Sequence, residues 1–320
     1  MSVALALDAR SYVRNDLHGA DRCWSETNCY VDLWIELLHA LGFPPAAAGA
    51  CALSTDFDGD QWSFFKYPPE DLWSLFGLEV REMNVWRPLI AHVEEQLAMG
   101  RLLTVEVDAH FLPDTEGVTY RQGHAKTTIA PAAVDRANRR MGYFHSAGYF
   151  ELTGSDFDGI FAPDEITAMI PPYVELIRLD NLHRDQRSLV PVAIALLRQH
   201  LARRPKDAPV RRLGQRIADD LPILSSEGDA YFHGYAFGTC RQCGASAEVG
   251  ASFVTWLDRA TGAGLGEIAE RLTQVATDAK SLELMLARAA RGRSVEVGAV
   301  IDGMASAWED ALAQLEERYG

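Results

Sequence analysis

Hydrophobic and polar positions change rhythm along the chain. From Cys29 the apolar residues Leu33, Ile35, Leu37 and Leu38 run to Gly42, with Pro44 and Pro45 just beyond. These stop signals predict a helix of about 13 residues ending at Gly42, with Cys29 in its first turn. Residues 61–65 (QWSFF) read as a short strand. Residues 71–76 and 87–99 read as helices closed by Gly77 and Gly100. In 102–112 (LLTVEVDAHFL), Val105, Val107 and Ala109 alternate with Glu106, Asp108 and His110, the period of a strand. Pro113 to Gly117 breaks it as a loop. Residues 124–129 (HAKTTI) read as a strand opened by His124, 131–142 as a polar connection, and 143–152 (YFHSAGYFEL) as one further strand. A helix followed by strands with hairpin-like connections predicts an α+β unit, a helix packed on a mostly antiparallel sheet.

Pro171-Pro172-Tyr173 punctuates the chain, and strand signals fade beyond it. Segments 189–201, 210–221, 230–257, 266–276, 281–290 and 297–319 carry helical periodicity, which predicts a helical bundle. A length of 320 residues exceeds one comfortable hydrophobic core. Two domains are expected, 1–178 and 179–320.

Composition narrows the function classes. With 48% hydrophobic and 23% charged residues, nothing argues for disorder. A net charge of −15 argues against a nucleic-acid partner, which needs a basic face. The short basic clusters (Arg203, Arg204, Lys206; Arg211, Arg212; Arg288, Arg291, Arg293) read as solvated helix faces. The first residues, MSVALALDARSYVRND, lack a basic leader, and no apolar run approaches the roughly 18 residues of a membrane helix. A cytoplasmic location without membrane contact is expected. Five cysteines, at 23, 29, 51, 240 and 243, then read as free thiols in a reducing compartment.

Four constellations carry candidate chemistry. A thiol in the first turn of a helix is favoured as thiolate by the N-terminal field. A histidine opening a later strand supplies a base, so Cys29 and His124 have a papain-like layout. His145 is the candidate orienting group, where papain-like enzymes use Asn or Asp. The alternative is a buried structural cysteine with a satisfied core histidine. Second, Asp108, His110, Asp114, His124 and His145 crowd the sheet segments, but without the tight spacing of a metal site, and no metal is expected. Third, Cys240-x-x-Cys243 has no second pair and lies in a small-residue helix, which reads as close packing rather than zinc. Arg241, Gln242 and Glu248 of that helix are more polar than a core requires. Fourth, Asp56-Phe57-Asp58-Gly59-Asp60 lacks the bidentate Glu of a calcium loop and reads as a turn. There is no phosphate loop, nucleophile elbow or dinucleotide fingerprint.

Longer strings add a resemblance. ETNCYVDLWIELLHALG (26–42), DFDGDQWSFFK (56–66), VEVDAHFLPDT (105–115), YRQGHAKTTI (120–129), YFHSAGYFEL (143–152) and YFHGYAFGTCRQCGASAE (231–248) resemble a bacterial family of unknown function, family 1839. Members of that family are often encoded beside an amino acid:carrier-protein ligase and its small carrier protein. The layout is also similar, more distantly, to butirosin biosynthesis protein H. That protein has a papain-like N-terminal domain and an all-helical C-terminal domain, and moves an acyl group from a carrier protein to an amine.

The resemblance implies a cysteine-dependent acyltransferase. Cys29 would attack an aminoacyl carrier-protein thioester, and His124 would take the thiol proton and later activate an acceptor, a small amine or amino acid. N–H groups at the helix start would hold the oxyanion, helped by Asn28 or Ser25. The glutamine that papain-like enzymes carry six residues before the cysteine is Cys23 here. Glu26, Asp108, Lys126, Arg241 and Gln242 are candidate substrate-binding residues, with structural ion pairs as the alternative. No cofactor is expected beyond the phosphopantetheine that a carrier protein would bring. Carrier proteins are acidic, so docking on a chain of −15 requires a local basic patch, for which the arginine clusters are the candidates. The competing readings are a cysteine hydrolase (peptidase, amidase or thioesterase) and a non-catalytic papain-like binding protein.

Overall fold

The structure is a computed structural model that describes residues 1–161, 171–183, 185 and 189–320. The chain divides into two compact units, each discontinuous in sequence. The first comprises residues 1–16, 28–45 and 69–184; the second comprises 17–27, 46–68 and 185–320. Among the described residues, no helix is long and apolar enough to cross a membrane.

The first unit is α+β. Its elements are β1 (Ser2–Val3), α1 (Cys29–Ala40), α2 (Pro69–Phe76), β2 (Glu79–Glu82), α3 (Leu89–Ala98), β3 (Leu102–Asp108), β4 (Lys126–Asp135), β5 (Arg140–His145), β6 (Gly148–Thr153), α4 (Ser155–Phe161) and β7 (Val174–Arg178). The strands run β2-β7-β3-β4-β5-β6, all pairings antiparallel, and β1 pairs with the far half of β4.

Helix α1 forms where the sequence predicts it. Asn28 caps it, accepting from the Tyr30 and Val31 N–H groups at 3.2 and 3.0 Å. Gly42, at φ 82°, ends it, and the Phe43 N–H returns to the Leu38 carbonyl at 2.9 Å. Val31, Leu33, Trp34, Leu37 and Leu38 are fully buried, each contributing about 2 kcal/mol of apolar burial. Every residue from Tyr30 to Leu38 is buried, so the helix is enclosed on all sides, and α1 packs against β4 and β5. Its buried Glu36 is satisfied by the Tyr12 hydroxyl at 2.6 Å and the Asn15 N–H at 3.0 Å.

Several local expectations are corrected. Residues 131–142 are not a connection: β4 continues to Asp135 and β5 starts at Arg140. Pro131 sits at a bulge, where its missing N–H costs no ladder bond. Residues 143–152 hold two strands, β5 and β6, joined across Ser146 and Ala147. The tight turn places Ser146 at φ 42°, a conformation usually announced by Gly or Asn. β2 and β7 carry too little alternation to be read. β7 is buried over Val174 to Ile177, with Glu175 in its middle. Residues 61–65 form no strand, only the Phe57–Trp62 bridge, while the Trp62 N–H bonds the Gly238 carbonyl at 2.7 Å.

The second unit is helical through its C-terminal region: α5 (Leu189–Arg203), α6 (Pro209–Glu227), α7 (Asp229–Ala236), a π turn (Phe237–Arg241), α8 (Gln242–Thr261), α9 (Gly266–Ala290) and α10 (Gly298–Tyr319). The expected helix 230–257 is thus interrupted, and 266–276 and 281–290 fuse into one. Segment 17–27 is pinned to α8 by Glu248, whose carboxylate accepts the Cys23 and Trp24 N–H groups at 2.9 and 2.7 Å. Gly244 allows this approach, since a Cβ there would meet Trp24 Nε1 at 2.5 Å. Asp56 to Asp60 is a turn whose Asp58 N–H bonds the Gln61 carbonyl at 2.8 Å.

Candidate functional site

Cys29 is the first residue of α1 and is half-buried. Asn28 consumes the N–H groups of Tyr30 and Val31, and the Asn28 carbonyl takes that of Asp32. The Cys29 N–H is left without a partner among the described residues, so it is the first-turn donor open to an anion. The thiol has one long polar contact, to Thr128 Oγ1 of β4 at 4.0 Å.

Strand alternation fixes which side chains share its face. Tyr30 of α1 and Thr104 of β3 both donate to Glu175 Oε2 at 2.8 Å, so Thr104 lies on the α1 side of the sheet. Glu106 and Asp108 follow on that side. Lys126, two residues before Thr128, reaches Glu106 at 2.7 Å. His124 lies two residues before β4 begins, and its Nδ1 donates to Asp108 Oδ2 at 2.6 Å. A carboxylate only accepts, so Nδ1 carries the proton and Nε2 is the basic nitrogen. The His124 side chain is 73% exposed. His110 stacks on it, rings 4.5 Å apart and 9° from parallel, and is itself held by Gly123 O at 3.1 Å.

Asp108 is fixed by more than His124. Burial raises its carboxyl, but bonds from His124 and from the His110 and Ala125 N–H groups outweigh that and hold it below the ordinary carboxylate value.

His145 belongs to the opposite face. Its Nε2 pairs with Thr127 at 2.8 Å and its Nδ1 with Asp114 at 2.5 Å. Tyr143 donates to the same Asp114. His145 and Asp114 are each 5% exposed. Thr127 and Thr128 point to opposite sides of β4, which separates His145 from Cys29. The group that orients His124 is therefore Asp108, in place of the expected His145. The same split divides the five candidate metal ligands: Asp108, His110 and His124 on one face, Asp114 and His145 on the other. Among the described residues no three His, Cys, Asp or Glu side chains cluster as metal ligands would.

The remaining candidates lie in the second unit. Arg241 donates to the Glu26 carbonyl at 3.4 Å, and Gln242 to the Thr27 carbonyl at 3.3 Å. Both hold segment 17–27 in place. Ser25 and Glu26 are exposed. The arginine clusters are largely neutralised locally: Arg204 by Glu316, Arg211 by Glu309, Arg212 by Asp56 and Arg291 by Asp229. Burial pushes the Cys240 thiol up to about 12 and raises Cys243 as well. Burial, then the Glu248 charge, raises Cys23. These three thiols stay protonated at neutral pH.

Sequence reasoning missed Thr128, the His110 stack and Glu175. Glu175 is 6% exposed and is satisfied by the hydroxyls of Tyr30, Thr104 and Tyr173. Burial, then Glu175, raises the phenols of Tyr30 and Tyr173, the latter to about 12. The one available signal was register: the end of β3 and the start of β4 pair Asp108 with Lys126, which brings Asp108 beside His124.

A comparison with functionally characterised proteins gives no match. Two family descriptions do match: the DUF1839 N-terminal domain over residues 13–179, and the DUF1839 C-terminal domain over residues 186–317. Together they span nearly the whole sequence, and the chain belongs to the DUF1839 family.

Proposed function

We propose that this chain is a cysteine-dependent acyltransferase with a papain-like site, moving an aminoacyl group from a carrier-protein thioester to a small amine or amino acid. The observation that carries it is the His124–Asp108 bond of 2.6 Å, on the sheet face that also holds Cys29. It leaves a basic Nε2 on an exposed ring, on the side of the sheet that α1 covers. Base, orienting carboxylate and nucleophile are the three groups that acyl transfer needs.

In this mechanism Cys29 Sγ attacks the thioester carbonyl carbon while its proton passes to His124 Nε2. The Cys29 N–H receives the oxyanion. The tetrahedral intermediate collapses, the carrier's C–S bond breaks, and His124 returns the proton to the departing thiol. The acceptor amine then attacks the Cys29 thioester, gives its proton to His124, and leaves as amide as the Cys29 thiol is restored. Thiol and imidazole do not hydrogen-bond in the structure. Such contacts commonly tighten only when substrate arrives. The carrier-protein donor follows from the family resemblance; the site itself calls for an activated acyl group.

The test is intact-mass analysis after exposure to an aminoacyl thioester of N-acetylcysteamine. A hydroxylamine-labile adduct is expected on Cys29, absent in Cys29→Ser, and released as amide when a small amine is added. Release only as free acid would select the hydrolase reading. No adduct, with Cys29 alkylation indifferent to His124→Ala, would leave a non-catalytic binding protein.

A further inference from the structure

A second histidine shapes the surroundings of His124, wholly within the first unit. Asp108 ends β3 and divides its carboxylate between two tasks. Oδ2 takes the His124 ring, while Oδ1 accepts the His110 N–H at 3.0 Å and so closes the turn Ala109–Phe111. That turn is tied to the segment before β4 at two points. The Ala109 N–H donates to the Ala125 carbonyl at 2.8 Å, and the Arg121 N–H to the His110 carbonyl at 3.1 Å. The His110 ring is fixed as well. Its Nδ1 donates to the Gly123 carbonyl at 3.1 Å, one residue before His124, and it meets the Phe111 ring edge to face, centroids 5.0 Å apart. His110 is half-buried, whereas the His124 side chain is 73% exposed. A well-held ring thus lies beneath an exposed one.

The two rings are 4.5 Å apart and 9° from parallel, a separation within the range of offset aromatic stacks. The single bond to Asp108 fixes one edge of the His124 ring; a flat neighbour fixes its plane. We infer that His110 is a positioning residue, the platform that holds the His124 imidazole in the plane where Nδ1 meets Asp108 and Nε2 remains the free basic nitrogen. The use made of Nε2 rests on the acyl-transfer reading; the platform does not. The size of the effect follows from torsions. With three wells at χ1 and a roughly two-fold χ2, an unsupported histidine ring has about six orientations. Asp108 alone already selects among them, so loss of the platform should slow base catalysis by about two- to sixfold.

The experiment compares three variants of the full chain, each with folding verified by circular dichroism. His110→Phe keeps a flat ring, His110→Leu keeps bulk without one, and His110→Ala removes both. Two quantities are read. The first is the order of the His124 ring, from carbon-13 relaxation of labelled histidine, with the buried His145 as internal reference. The second is Cys29 acylation by an aminoacyl thioester of N-acetylcysteamine at pH 7 and at pH 9, where a thiol ionises without help because its free pKa is about 8.5. The His124 ring should lose order in His110→Leu and His110→Ala and keep it in His110→Phe, with His145 unchanged. Acylation at pH 7 should fall by about two- to sixfold in the first two and recover in the third, while all converge on wild type at pH 9; general damage to the fold would slow both. A His124 ring as ordered in His110→Leu and His110→Ala as in wild type overturns the proposal. So does His110→Phe acylating as slowly as His110→Leu, or all three matching wild type while His124→Ala is slow. If His124→Ala itself acylates at the wild-type rate, the acyl-transfer reading fails, and the order of the ring alone decides whether His110 is its platform.

Discussion

Replacing Asp108 by Asn separates two accounts of the site. Asparagine keeps the shape but removes the charge facing His124 Nδ1 across 2.6 Å. While the thiol proton sits on His124, the ring is a cation, and the carboxylate stabilises it. At that separation, Coulomb attraction is about 6 kcal/mol at an effective dielectric of 20 and about 1.6 kcal/mol in water. The His124 and Asp108 side chains are 73% and 34% exposed, which places the pair near the aqueous limit. A loss of about 2 kcal/mol corresponds to roughly 30-fold in rate. This is far less than for a buried triad, because water shares the work. The assay is the rate of Cys29 acylation by an N-acetylcysteamine thioester at pH 7, followed by mass spectrometry, in wild type, Asp108→Asn and His145→Gln. Asp108→Asn should slow acylation by about 30-fold. His145→Gln should change it little once folding is verified by circular dichroism. If His145→Gln slowed a folded protein as much and Asp108→Asn did not, the assignment of Asp108 as orienting group would fail.

Other outcomes follow from the same contacts. Asp108 is held below its unfolded value, so its stabilising contribution is present above the ordinary carboxylate range and is lost as pH falls through the lowered folded value. The melting-temperature gap between wild type and Asp108→Asn should therefore close on acidification from pH 5 to the acid limit of folding; a gap that widened would contradict the sign. Asp114→Asn keeps one acceptor oxygen and turns an amide NH2 toward the other of the two buried donors, His145 and Tyr143, and should cost about 1–3 kcal/mol in urea unfolding, with no effect on Cys29 acylation in the folded fraction. Gly244→Ala drives a methyl into Trp24 and Ala279 and should cost about 1–3 kcal/mol, read from the denaturation midpoint; an unchanged midpoint would mean segment 17–27 yields freely.

Much of the architecture was legible locally. The Cys29 helix, its glycine stop, the β3 alternation and the six helical tracts depend on periodicity and punctuation, which neighbouring residues carry by themselves. The hairpin at Ser146, the bulge at Pro131 and the buried strand β7 were not legible, because the first two depart from their usual residue signal and β7 is held by β2 and β3, far along the chain. The site divides in the same way. Sequence alone brought forward Cys29, His124, His145 and Asp108 as chemistry-bearing groups. Only the antiparallel register of β3 on β4 decided that Asp108 meets His124, and only the alternation of Thr127 and Thr128 sent His145 to the other face of the sheet. A strand's period of two makes one residue's difference a change of side, and which side faces α1 is a property of the packed unit rather than of any segment within it.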